Sequence, residues 1–479
     1  MGMTRRLVTR PTFLPDDQDT TKRSHWRAGP QFDGSGALRA GGRAMGQAGE
    51  QKGRPTMQVD LDTLDTDAPL FAPQAFRLSD SQADLIAKAR GFGRRVLAPR
   101  AATYDHDATF PIENFRDMYR EGLLGICIPR EHGGTGADFK TYCLAAAELG
   151  RYCGSTALSW NMHVCSTLWS GALADDLEMS AADREDHRAR RELHYRRILD
   201  SGAVYSQPFS EGGAAAAGGV AFGTQARPVD GGFVVTGRKI FASLSGAADY
   251  YGVLCTERRE GEAASRRNTL YLAVPADAAG VSVTGDWDPL GMRATVSRTL
   301  VLSDVFVPEN AMLMPRGVYF LAATRWPHMF LTLSPTYLGL AQAAYDFTIA
   351  YLRGELPGAL PVKRRMFPTK QIAVAEMHIQ LEQTKTLWFQ AISEACANPT
   401  KEQILRAYAA QFSVMENANA IAAKAIRTCG GQAMLKNLTL ERIFRDSRCG
   451  SLMLPWTAEI CLDRIGREAL YEAGETDEQ

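Results

Sequence analysis

From residue 78 onward, apolar positions recur on a helical period. Leu85, Ile86, Ala89, Phe92, Val96 and Leu97 share one face, and Ser79 stands where an N-cap belongs. The pattern predicts a helix over 78–99, a second over 112–121, and others over 139–149, 155–173 and 185–201. Between the second and third, GLLGICIPREHGGTG is a short apolar run ending in proline and a glycine turn. It lacks GxGxxG spacing and has no strand–helix unit around it, so it reads as a loop and not as a nucleotide cradle. Near Ala203 the period changes to two. FVVTGRKI, YYGVLC, TLYLAVP, VSVTG and TLVLSDVFVP alternate, are rich in β-branched residues and are separated by Gly, Asp and Asn turns as far as Pro308. They predict a small antiparallel barrel or sandwich. The helical period then returns over 320–353, 370–397, 401–429 and 454–471, which predicts an antiparallel four-helix bundle with one long loop at 353–368. The expected class is α+β: an N-terminal helical domain over 75–202, a middle β domain over 203–310, a C-terminal bundle over 311–472, and a tail over 473–479.

Residues 1–56 carry no hydrophobic period and are rich in Gly, Arg, Asp and Gln, so disorder is expected there. Asp16, Asp17 and Asp19 speak against an organellar transit peptide, and no apolar stretch suits secretion. Met57 follows at once, and the preceding segment reads as upstream sequence taken into the chain. The chain as a whole is 45% hydrophobic and 23% charged, the composition of a globular protein, and 479 residues exceed one small core. A formal net charge of zero offers no global field for nucleic acid. No apolar run approaches the roughly 20 residues of a membrane span. The nine cysteines form no CxxC pair, and the eight histidines form no HExxH or HxxxH, which argues against zinc or iron–sulfur. Unpaired cysteines in a chain of this size fit reduced thiols and a cytoplasmic setting.

The most suggestive chemistry lies in 203–246, where AVYSQPFSEGG, GGFVVTG and RKIFASLSG gather small residues and hydroxyls at the end of two strands. Such a turn lets backbone N–H groups and serine hydroxyls approach a flat polar ring, although plain connectors have the same composition. Its company decides the matter. PREHGGTG, YSQP, GRKIFASLSG, LGMRATVSRTLVLSDVFVPEN, LGLAQAA, RTCGGQAM and RIFRDSR follow one another over about 400 residues. In that order the chain resembles the acyl-CoA dehydrogenase family of flavoproteins. The resemblance implies a homotetramer or homodimer with FAD between the β domain and the bundle. It also implies an acyl thioester, on CoA or a carrier, as substrate. Residue by residue, it places Ser206 beside the flavin pyrimidine edge, Phe241 flat on the ring system and Ser243 at N5. Gly430 and Gly431 would receive the adenosine part from a neighbouring subunit, Arg364 and Gln371 its pyrophosphate, and Thr457 and Glu459 would complete the cofactor contacts. An aromatic face suits a planar ring, and glycines let amides reach a pyrophosphate.

The chain also departs from that family. The carboxylate base that removes the thioester α-proton has Pro455 at one usual position and Met329 at the other, and neither transfers a proton. RRMFPTKQ shortens the expected arginine–glutamine spacing and replaces a glycine with Pro368, and GGAAAAGG enlarges the flavin turn. Three functions stay open. One is an FAD-dependent dehydrogenase-like oxidoreductase with its base elsewhere, Glu211 being the weak candidate, that passes electrons to an acceptor protein. Another is a flavin monooxygenase of the same fold that takes reduced FMN or FAD from a flavin reductase. The last is a flavin-binding scaffold without chemistry. The order of motifs favours the dehydrogenase. His163, in NMHVCST, is the substrate-side candidate, against the commoner role of a hydrogen-bonded core histidine. Arg293 is read as the holder of a strand corner, and Cys429 as a buried small hydrophobe.

Overall fold

The computed structural model describes residues 68–212, 221–472 and 475. The expectations for 1–56, for nearly all of the tail and for the small-residue loop beyond Gly212 lie outside the described residues. Helix α1 (Asp80–Phe92) starts as the pattern predicts. Ser79 Oγ accepts from Gln82 N, and the Gln82 side chain accepts from Ser79 N, which closes a capping box. The chain runs on through a π-helical turn (Gly93–Leu97) into α2 (Ala98–Asp107). Helices α3 (Ile112–Arg120), α4 (Phe139–Tyr152), α5 (Gly154–Leu168) and α6 (Ala181–Ser201) follow. Helices α4 and α5 are buried almost all round, and their polar side chains, Glu148 and Arg151 on α4 and Asn161 and His163 on α5 among them, are buried with them.

The strands are β1 (Tyr205–Ser206), β2 (Gln225–Val229), β3 (Gly232–Ala242), β4 (Tyr250–Glu257), β5 (Thr269–Pro275), β6 (Val281–Thr284), β7 (Arg298–Pro308) and β8 (Met312–Met314). They form one sheet in the order β6-β7-β3-β2-β4-β5-β8, with β1 added parallel to β4. The sheet does not close, and it is mixed, because β2 also pairs parallel with β4. Strands β4 and β5 are continuous apolar runs buried on both faces, while β7 alternates. The ladder between β3 and β7 slips between Lys239 and Ala242, and this bulge re-aims Phe241.

Beyond the sheet, the single helix expected over 320–353 is broken. Helix α7 (Val318–Arg325) stops at Trp326, a 3-10 stretch covers Pro327–Leu333, and α8 (Ser334–Arg353) follows. Pro327 has no N–H to carry the helix on. Helices α9 (Pro368–Ser393), α10 (Lys401–Cys429) and α12 (Ala458–Leu470) complete the long helices. The last begins four residues later than the apolar pattern suggests, because Thr457 caps it. A short helix that the pattern missed, α11 (Leu440–Arg448), packs on α10 and α8.

Candidate active site

Two turns face one another at the end of β3 and before β7. Leu244 N donates to Thr295 O at 2.9 Å and Ser245 N to Val296 O at 3.1 Å. Four residues in these turns that are not glycine hold left-handed backbone: Phe241 (φ 54°), Leu244 (64°), Met292 (54°) and Val296 (44°). Each costs roughly 1–3 kcal/mol, and the β-branched Val296 is a genuine outlier. The surrounding structure pins the second turn from two sides. Met292 N donates to the buried Asp446 Oδ1 of α11 at 2.6 Å, and burial pushes that carboxyl up to about 6. Arg293 donates to Asp105 O at 2.8 Å and pairs with Asp288, so it holds the corner.

Between these turns, α5 and the segment after α11 lies a cavity of about 460 Å³. Phe241 and Trp287 line it and meet edge to face with centroids 6.4 Å apart, and Phe241 is 63% exposed. Ser243 and Ser297 line it, Oγ to Oγ at 2.8 Å, and Ser297 Oγ lies 2.7 Å from Thr295 Oγ1. Thr295 uses its one proton on Met292 O at 2.8 Å. Ser297 must therefore donate to Thr295, and Ser243 to Ser297. The Ser243 hydroxyl thus offers lone pairs to the cavity and keeps its proton inside the protein.

Gln207 was passed over in the sequence, although it stands in the YSQP motif. Its Oε1 accepts from the Tyr271 hydroxyl, its Nε2 is buried and lacks a partner among the described residues, and the residue lines the cavity. No signal in the sequence singles out that amide, because Tyr271 lies two strands away. Among the described residues no Asp, Glu, His, Lys or Arg lines this cavity, and burial pushes the nearby Cys449 thiol up to about 12.

The other candidates fall elsewhere. Ser206 is buried beneath the turn, and its hydroxyl donates to Ser243 O at 2.6 Å, which braces the turn from below. His163 is turned away from the cavity, contrary to expectation. Its Nδ1 accepts from Tyr205 N at 3.0 Å, its Nε2 donates to Leu124 O at 3.1 Å, and burial lowers it to about 4. Its neighbour Met162 lines the wall instead. Glu211 is committed too. Burial raises its carboxyl, but Lys239 Nζ at 2.6 Å and the N–H groups of Gly223 and Thr224 outweigh that and hold it low. A carboxylate held in that way is a poor base.

Arg364, Gly430 and Gly431 lie in a separate region at the ends of α8 and α10. The Arg364 guanidinium sits 4.7 Å over the Tyr351 ring, and the Tyr351 hydroxyl donates to Gln432 Oε1 at 2.9 Å. Gly430 has φ 88°, and a Cβ on either glycine would meet nothing within 4 Å. Gln371 is exposed and donates to Arg365 O at 3.1 Å. Thr457 caps α12 with the exposed Glu459 in its first turn. Cys429 is buried, and burial raises its thiol to about 11. No cluster of His, Cys, Asp and Glu suited to a metal occurs among the described residues, and no described helix is long and apolar enough to cross a membrane.

Comparison with known proteins adds three matches to family models: acyl-CoA dehydrogenase N-terminal domain over residues 79–172, middle domain over 210–305 and C-terminal domain over 331–452. A Bacillus subtilis (strain 168) protein described as a probable acyl-CoA dehydrogenase, YngJ, is 27% identical over 384 residues, 78% of this chain and 94% of that protein. The mitochondrial short-chain specific acyl-CoA dehydrogenase of Mus musculus is 27% identical over 380 residues, 78% and 87% of the two chains. Among solved structures, FMN-bound TdsC from Paenibacillus sp. A11-2 superposes with a TM-score of 0.69 at 22% identity, over 81% of this chain and 97% of the other. Another structure of that protein names it a dibenzothiophene monooxygenase. At that identity the superposition speaks for the fold alone.

Proposed function

This chain belongs to the acyl-CoA dehydrogenase family, and from that premise we propose that it is a flavin-dependent oxidoreductase working with reduced flavin and oxygen on an apolar substrate. The observation that carries this is the cavity wall, which holds hydroxyls, an amide and apolar side chains but no side-chain base among the described residues. Dehydrogenation of a thioester needs a base for the α-proton, whereas oxygen insertion does not.

The residues present fit a flavin. Phe241 offers an exposed face to a planar ring on a backbone strained to hold it there. The unpartnered Gln207 amide suits a carbonyl oxygen. The lone pairs of Ser243 suit a ring N–H, which a reduced flavin has at N5. When bound, a flavin supplies two-electron transfer and, once reduced, activation of oxygen. The apolar residues Leu158, Met162, Leu333 and Met453 keep water from the reacting region. Arg364, Gln371, Gly430 and Gly431, with Thr457 and Glu459 nearer the cavity side of the bundle, would hold the rest of an FAD supplied by a neighbouring subunit. The exposed Met366, Phe367, Ile372, Ile379, Met434 and Leu435 support a homotetramer or homodimer that covers this face. FMN would do without those contacts. A flavin reductase is the electron-supplying partner on this reading.

A second function, dehydrogenation of an acyl thioester with electrons passed to an acceptor protein, is supported by the relatives that bear that name. One experiment separates the two. The flavin spectrum of the purified protein is recorded, with added FAD or FMN if needed. Oxygen uptake that requires NADH and a flavin reductase supports the proposal. Anaerobic bleaching of the bound flavin by an acyl-CoA panel overturns it in favour of the dehydrogenase. A protein that takes up no flavin in either redox state overturns both and leaves a scaffold.

A further inference from the structure

We infer that Phe209 is a specificity-determining residue that divides one elongated apolar site into two chambers, and that the substrate is a compound of at least two linked rings lying through both. The substrate class rests on the proposed function; the division into chambers does not. Beside the cavity described above lies a second one of about 400 Å³, within the range of small-molecule sites. Phe209 lines both. Two further segments carry the wall from one to the other. Phe330 lines the second cavity and Leu333, on the same 3-10 stretch, lines the first. Pro455 and Trp456 line the second, and Leu452, Met453 and Leu454 line the first. On the proposed function the first cavity, of about 460 Å³, takes the flavin ring together with the reacting part of the substrate. The rest of a larger substrate needs room beside it. The second cavity supplies that room among Phe222, Tyr319, Phe330, Tyr408 and Trp456, side chains that suit a further ring.

The backbone on either side of Phe209 is pinned. Before it, Ser206 pairs with Tyr251 in the ladder between β1 and β4. After it, Ile240 N donates to Ser210 O at 2.8 Å, and the Glu211 carboxylate is held by Lys239 Nζ and by the N–H groups of Gly223 and Thr224. The Phe209 side chain is half-buried, and its ring contacts are wide: 6.3 Å to Phe222, 6.1 Å to Tyr319 and 6.4 Å to Phe330. These lie toward the wide end of the roughly 4.5–7 Å that ring pairs adopt, whereas Tyr408 and Trp456 in the same wall are 4.6 Å apart. A ring with wide contacts on a fixed backbone gives up little packing when it changes rotamer. In place, it stands between the two cavities. Turned aside, it joins them.

Calorimetric titration of the protein as purified compares phenol with 4-phenylphenol, one ring against two in line. Burial of the second ring in the second chamber should make 4-phenylphenol bind about tenfold tighter or more. Phe209→Trp should fill the passage and weaken 4-phenylphenol about tenfold, while phenol changes by less than about twofold. Ala323→Phe should do the same from within the second chamber, which Ala323 lines from α7. It decides the matter if the tryptophan variant does not fold. The ratio of the two affinities is the readout, because a general loosening of the fold would move both probes together. Equal affinity of the two probes for the wild type, binding of neither, or a ratio that neither variant moves would overturn the inference. The flavin spectrum, and oxygen uptake with NADH and a flavin reductase, are read in the same samples. The two-chamber pattern without flavin uptake sinks the proposed function alone. Flavin uptake and reductase-dependent oxygen consumption without that pattern sink this inference alone.

Discussion

The crossing of α4 and α8 and the paired turns beside the cavity use the backbone in opposite ways. At the crossing the two backbones touch. A Cβ on Gly339 would lie 2.3 Å from Ala147 O and 2.5 Å from Arg151 N, and one on Gly150 would lie 2.5 Å from Thr336 O. Beside that contact Arg151 Nε donates to Asp346 Oδ2 at 2.6 Å and Glu148 Oε1 accepts from Leu70 N at 2.9 Å, while Glu148 Oε2 and Thr336 Oγ1 have no hydrogen-bond partner among the described residues. At the turns the backbone is strained, an aromatic ring stands in the open, and Gln207 Nε2 is left without a partner among the described residues. Left-handed backbone and an exposed ring together set the turns apart from the crossing and mark them as prepared for a ligand.

The crossing should break most readily. Gly339→Val forces a side chain into backbone that cannot move aside, and about 3 kcal/mol or more of stability should go. The midpoint of urea unfolding reads this, and an unchanged midpoint would show that the helices can separate freely. Next comes the carboxyl at the crossing. Burial raises Glu148 to about 7, only partly offset by Arg151. Its unfolded value is about 4.3, so the folded state holds the proton more tightly. The stability it contributes is complete below the unfolded value and is lost as pH rises through about 7. Glu148→Gln should match the wild type near the bottom of that window and exceed it above the top. Parallel pH dependences would refute the assignment.

At the turns the signs reverse. Phe241→Gly relieves a left-handed residue and removes a ring that is mostly in solvent, so stability should rise by about 0.5–1 kcal/mol. Flavin affinity should meanwhile fall by about fivefold. A loss of both would make the ring part of the core. The smallest expected effect is that of Ser297→Ala. It removes the acceptor of the Ser243 proton and frees that hydroxyl to donate into the cavity. The ratio of oxidised to reduced flavin affinity should move about fivefold toward the oxidised form, which lowers the potential of the bound flavin. An unmoved potential would mean that the hydroxyl chain runs the other way.

Legibility in the sequence followed the range of the forces involved. The Ser79 cap is local, and GRKIFASLSG marked the turn that carries Phe241 and Ser243, whereas the break of the helix at Pro327 was missed. The four helical segments of the bundle were visible, yet α11 was not, since nine residues with five charges carry little apolar signal of their own. His163 looked like a ligand because its type is reactive; only its two backbone partners, 39 and 42 residues away, show that both nitrogens are engaged. Glu211 lost its standing as a base to Lys239 on a strand 28 residues downstream.

Local order along the chain thus determined where helices and strands form, their succession and the family likeness, because periodicity, caps and prolines act over a few residues. The tertiary structure alone decided the open path of the sheet, the direction of the Ser243–Ser297–Thr295 hydroxyl chain, the unpaired Gln207 amide and the absence of a base from the cavity wall among the described residues. These depend on hydrogen bonds and burial between segments far apart in the chain, and a proton's direction or a side chain's solitude exists only once those segments have met.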